Sequence, residues 1–132
     1  MRALAPIVHL WQSVDRAELG HEIARRAPGA AVLVQVNITD EPQKGGCPLG
    51  EVDALVAELA AGGLEVRGLM GVGRFGDPAA TRAGFAALVA AAERLGLPER
   101  SIGMTDDLEL AVAAGATMVR VGRDLFGERP RR

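Results

Sequence analysis

The stretch Ser101–Gly127, SIGMTDDLELAVAAGATMVRVGRDLFG, reads as one strand–helix–strand unit. The short apolar run Ile102–Met104 predicts a strand. Asp106 with Glu109 three residues on has capping-box spacing, opening a helix that buries Leu108, Ala111 and Val112 and stops at Gly115. Thr117–Val121 predicts the next strand, and a brief turn or helix runs through Phe126. Strands joined by one helix run parallel, with a right-handed crossover.

Upstream, the same unit recurs. Ile7–Trp11 predicts a strand, Asp15 and Glu18 form a second capping-box pattern for a helix to about Ala27, and Pro28-Gly29 stops it. Ala31–Val36 (AVLVQV) is near-continuously apolar, as parallel strands covered on both faces are. Pro42, Gly45, Gly46 and Pro48 make Asn37–Gly50 a loop. Val52, Leu55, Val56 and Leu59 lie on one face of a helix that Gly62-Gly63 ends. Val66–Val72 predicts the third strand. Asp77-Pro78 then supplies an N-cap and a first-turn proline for a helix burying Phe85, Leu88, Val89, Ala92 and Leu95.

The whole is βαβαβαβαβ, an α/β chain with no linker, read as a single domain over residues 1–132. Two architectures accommodate it: five strands of a TIM-type (βα)8 barrel, or a five-stranded doubly wound open sheet. Periodicity does not separate them.

Composition narrows the function classes. The 132 residues are 48% hydrophobic and 3% aromatic, which suits a packed α/β core and excludes disorder. A net charge of −2 without a basic block excludes nucleic acid as the main partner. Cys47 is the one cysteine, so no internal disulfide forms, and no apolar run reaches the roughly 20 residues a membrane span needs. The expectation is a soluble cytoplasmic protein with no membrane partner.

His9, His21 and Cys47 lack metal-ligand spacing, so no metal is expected. Ser13 and Ser101 show no nucleophile–base arrangement, and Gly68–Gly76 matches neither dinucleotide nor P-loop fingerprints. No catalytic set emerges. Lys44, the sole lysine, reads as a surface loop charge.

In either architecture function sits at the C-terminal ends of the strands. Thr105, Asp106 and Asp107 follow one predicted strand, and Arg120, Gly122 and Arg123 end or follow its neighbour. Gly122 lets an oxyanion approach the backbone, and the amides of Gly122 and Arg123 suit it. Thr105 offers a hydroxyl at a helix start, and Arg120 supplies a fixed charge. Asp106 and Asp107 read as helix caps. Spacing alone makes this a generic phosphate pocket.

Three stretches in order, VLVQVNITDEPQKGG, EVRGLMGVG and SIGMTDDLELAVAAGATMVRVGRDLFG, give the chain a specific likeness. It resembles the pyridoxal phosphate homeostasis protein family (the YggS/PROSC type), related to the N-terminal barrel of alanine racemase. Leu10–Arg16 resembles the family's preceding strand and helix start.

The resemblance implies a (βα)8 barrel that binds pyridoxal 5′-phosphate at its strand ends, a carrier or regulator of vitamin B6 pools. It implies that Thr105 contacts the phosphate where the family usually has serine. Gly122 and Arg123 occupy the phosphate-holding turn, with Arg123 replacing the usual Thr or Ser. Arg120 approaches the pyridine nitrogen, and Met70 lies near the cofactor. A cation at that nitrogen weakens the ring as an electron sink, which suits a carrier better than a racemase.

The likeness covers strands four to eight, while the family's Schiff-base lysine sits on strand one. It therefore implies a truncated or partial member with non-covalent cofactor contacts only, associating with itself or with a missing N-terminal half. Alternatives are a barrel-like enzyme acting on a phosphorylated small molecule, with Asp106 or Asp107 as acid or base, and a non-functional fragment needing a partner.

Overall fold

The computed structural model describes residues 2–130. Its strands are β1 (Leu10–Val14), β2 (Ala31–Asn37), β3 (Cys47–Pro48), β4 (Glu65–Gly71) and β5 (Glu99–Ser101). Its α-helices are α1 (Ala17–Arg26), α2 (Val52–Ala61), α3 (Pro78–Arg94), α4 (Leu108–Ala114) and α5 (Arg123–Phe126), with 3-10 turns at Leu49–Glu51 and Thr105–Asp107.

All pairings are parallel, in the order β1-β2-β4-β5, with the two-residue β3 beside the end of β2. Strand order thus follows chain order without reversal, whereas a doubly wound sheet reverses at a switch point. The helices share one face. Ile23 of α1, Leu55 and Leu59 of α2, Phe85 and Leu88 of α3 and Ala111 of α4 join one apolar cluster with Val32, Val34, Val36 and Leu69. Val34 and Leu69 are register partners, so that cluster lies on a single side of the sheet.

The other side carries a row of register partners, Gln35, Met70 and Ser101. Here the Ser101 hydroxyl donates to Gln12 Oε1 at 2.7 Å. Gln12 is on β1 and Ser101 on β5, three strand intervals apart, or about 14 Å in a flat sheet. The side chains meet only because the sheet curls around them. Sequential order, helices on the outside and a closed-in concave face make this part of a TIM-type barrel, and the open-sheet alternative falls.

Several boundaries differ from expectation. The first strand starts at Leu10, not Ile7, because the Ile7 and Val8 amides both turn back to the Leu4 carbonyl and leave Ile7 exposed. No side chain caps α1: Arg16 holds the N-cap, and Asp15 instead accepts from the Gly46 amide at 3.1 Å. Within the expected loop at 37–50 lie β3 and the start of a 3-10 turn. In contrast, Asp77 does cap α3, accepting from the Ala80 amide at 3.0 Å with Pro78 in the first turn.

The expected strand Ile102–Met104 is displaced to Glu99–Ser101, because Gly103 at φ 105° breaks the extended run. Thr117–Val121 does run parallel to β5, with Met118 N donating to Arg100 O at 3.1 Å and Arg120 N to Gly103 O at 2.8 Å. It forms one bridge, Ser101 to Met118, rather than a strand.

Candidate functional site

Beyond the C-terminal ends of β4 and β5 lies a cavity of about 620 Å³. The loop after β4, the 3-10 turn Thr105–Asp107, the start of α5 and the loop after β2 all contribute walls. Thr81, nearly fully buried, fixes the first of these. Its hydroxyl accepts from Arg74 N at 2.9 Å and donates to Arg74 O at 3.1 Å.

Arg120 organises the floor. Nη1 donates to Ser101 O at 2.9 Å and to Ser101 Oγ at 2.7 Å, while Nη2 donates to Gly71 O at 2.8 Å. The guanidinium is thereby held across the ends of β4 and β5 while still lining the cavity. Burial pushes its pKa below the ordinary value, against the opposing charge of Asp107. It stays a cation regardless.

Thr105, Gly122 and Arg123 line the same cavity, so four of the five expected residues come together. Met70 does not. It is buried in the concave row of the sheet, and β4 reaches the cavity through Val72 and Gly73 beyond its end. At Gly122 a Cβ would meet no atom within 4 Å, and the residue has an ordinary φ of −118°. Neither packing within the chain nor backbone geometry requires glycine there, and the backbone at Gly122 is open to close approach from the cavity.

The two carboxylates have distinct partners. Asp107 Oδ1 accepts from the Met104 amide at 2.8 Å and so caps the 3-10 turn, as the capping reading of the two carboxylates expected for Asp107. Asp106 instead pairs with Arg123, Oδ2 to Nη2 at 2.6 Å, both side chains about half exposed.

Lys44 departs from its reading as a free surface charge. Nζ donates to Gly73 O at 2.6 Å and pairs with Glu41 Oε2 at 2.5 Å, placing both residues in the cavity wall. The hydrogen bonds from Lys44 and then Thr39 hold the Glu41 carboxyl below the usual carboxylate range. Spacing held no signal for this, because Lys44 and Gly73 are 29 residues apart. The mouth also presents Phe75, Met104 and Phe126 to solvent. Among the described residues no group of three or more His, Cys, Asp or Glu could hold a metal, and no helix is long and apolar enough to cross a membrane.

The donor set suits a phosphorylated aromatic molecule. Open space at Gly122 and the Thr105 hydroxyl suit the phosphate, and the anchored arginine suits a ring acceptor.

Residues 2–130 match the family described as alanine racemase, N-terminal domain. The pyridoxal phosphate homeostasis protein of Deinococcus radiodurans is 46% identical over 116 residues, 88% of this chain and 54% of that protein. Its namesake in Escherichia coli K12 is 36% identical over 129 residues, 89% of this chain and 55% of that protein. PipY of Synechococcus elongatus PCC7942, solved with pyridoxal phosphate bound, superposes at TM-score 0.81 and 30% identity over 96% of this chain and 64% of that one. The chain thus spans about half the length of the curated relatives it matches.

Proposed function

This chain belongs to the alanine racemase N-terminal domain family, and on that premise we propose that it binds pyridoxal 5′-phosphate and acts in vitamin B6 homeostasis as a carrier. The observation that carries this reading is the meeting of Thr105, Arg120, Gly122 and Arg123 around one cavity, with nothing beyond its immediate chain neighbours within 4 Å of the Gly122 Cβ position. Thr105 and the Gly122–Arg123 backbone hold the phosphate. Arg120 faces the ring nitrogen and, as a permanent cation, keeps that nitrogen unprotonated. When bound, the cofactor supplies an aldehyde and an electron-withdrawing ring.

The chain holds it through non-covalent contacts. Lys44, the sole lysine, is tied to Gly73 O and Glu41. An enzyme of phosphorylated substrates has less support, since Asp107 is committed to the Met104 amide. The concave row of Gln35, Met70 and Ser101 and the edge of β1 favour association with a further strand set, from a second copy or from the other half of the family barrel. A cytoplasmic setting fits a single buried cysteine.

Titration of the 132-residue chain with pyridoxal phosphate, followed by absorbance and calorimetry, tests the reading. Saturable binding competed by inorganic phosphate is expected, with Lys44 unmodified after borohydride treatment. Absence of saturable binding overturns the reading, and stoichiometric trapping on Lys44 overturns its non-covalent part.

A further inference from the structure

The Asp106–Arg123 pair joins two walls of the cavity, and both residues line it. Its partners lie on different elements: Asp106 in the 3-10 turn after β5, Arg123 at the start of α5. With both side chains about half exposed, the pair contributes little to folding. It is cheap to break. Asp107, by contrast, performs a structural task at the Met104 amide.

A phosphate monoester seated at Gly122 would stand beside this pair. It offers Arg123 up to two charges and three acceptor oxygens, against the single charge of one carboxylate. Asp106 at the same place repels the phosphate while it holds the guanidinium.

We infer that Asp106 and Arg123 form an exchange latch for a phosphate ester: the incoming phosphate takes Arg123 from Asp106, and Asp106 reclaims it on release. This rests on the phosphate reading of the cavity. No covalent step is involved, only the transfer of a guanidinium between two anions. Asp106 thus weakens binding by offering Arg123 an alternative partner, a property that suits a protein that must give its ligand up.

The test is a double-mutant cycle, Asp106→Asn, Arg123→Ala and the pair, titrated with pyridoxal phosphate, inorganic phosphate and unphosphorylated pyridoxal. Asp106→Asn should tighten the two phosphate probes about three- to tenfold, and Arg123→Ala should weaken them by a similar factor. The gain from Asp106→Asn should vanish in the Arg123→Ala background, and pyridoxal should respond to neither change. A gain that survives without Arg123 means plain repulsion and overturns the latch. So does phosphate binding that is unchanged in Asp106→Asn. If neither the parent nor any variant binds either phosphate probe, the phosphate reading itself is overturned, and the latch with it.

Discussion

Arg120 donates from Nη2 to the carbonyl of Gly71 at 2.8 Å, reaching across β5 from the segment beside it to the end of β4. Its Nη1 holds the intervening Ser101 at two points. The segment around Arg120 has only one bridge to β5, so this side-chain fork does part of what a strand ladder would do. The same guanidinium lines the cavity, which makes it both a clamp on the fold and a wall of the site.

The clamp is expected to be specific to arginine. Lysine keeps the charge but presents a single ammonium on a flexible stem and cannot span Gly71 and Ser101 as a planar fork does. Arg120→Lys should lower stability by about 1–3 kcal/mol, seen as a lower urea midpoint with an unchanged m-value. An unchanged midpoint would mean that the fork contributes nothing to stability.

Much of this was legible in the sequence, and the failures have a common cause. β2, β4, α2 and α3 follow apolar runs, helical periodicity and the Asp77-Pro78 start because they face the apolar cluster. β1 (LWQSV) and β5 (ERS) were misplaced because a curled sheet turns polar side chains such as Gln12 and Ser101 into its concave face, where apolar runs are no guide. That Thr105, Arg120, Gly122 and Arg123 would meet around one cavity was legible because every strand end points to one rim. Lys44 and Phe75 reach the cavity on loops, whose course no periodicity encodes.

Cys47 is buried, and burial, followed by the charge of Glu51, pushes its pKa up to about 11. The thiolate is the reactive form, so alkylation of the native chain at about pH 8 should be at least a hundredfold slower than of the unfolded chain. A thiol kept protonated by the fold stabilises it fully below the ordinary value of 9.0, and that contribution is lost as pH rises toward about 11. Urea unfolding at about pH 8 and about pH 10.5 should show a larger alkaline loss in the parent than in Cys47→Ala. Equal losses would place the alkaline sensitivity elsewhere.

Glu41 is expected to titrate below its ordinary value of 4.5 for as long as Lys44 donates to it. Because the folded value is depressed, its contribution to stability is present above that pH and lost as pH falls through the folded pKa. Lys44→Met removes the largest cause and should raise the Glu41 pKa, followed by carboxyl NMR. Thr39 still donates to Oε2 at 2.5 Å, so the recovery should be partial. A pKa unmoved by Lys44→Met would show that the pair does not persist in solution.

Two glycines separate folding from binding. At Gly68 a Cβ would lie 2.0 Å from the Glu99 carbonyl oxygen, and backbone cannot yield without opening the β4–β5 pairing. Gly68→Ala should therefore cost about 1–3 kcal/mol or more by overpacking. At Gly122 the same methyl meets nothing within 4 Å and φ is −118°, so Gly122→Ala should cost less than about 1 kcal/mol, within the range of a changed N-cap. The methyl nonetheless projects where the phosphate is proposed to sit. Affinity for pyridoxal phosphate should fall at least about tenfold while the urea midpoint stays near the parent's, and binding of unphosphorylated pyridoxal should be unaffected. Parent-like phosphate affinity in Gly122→Ala would remove Gly122 from the site.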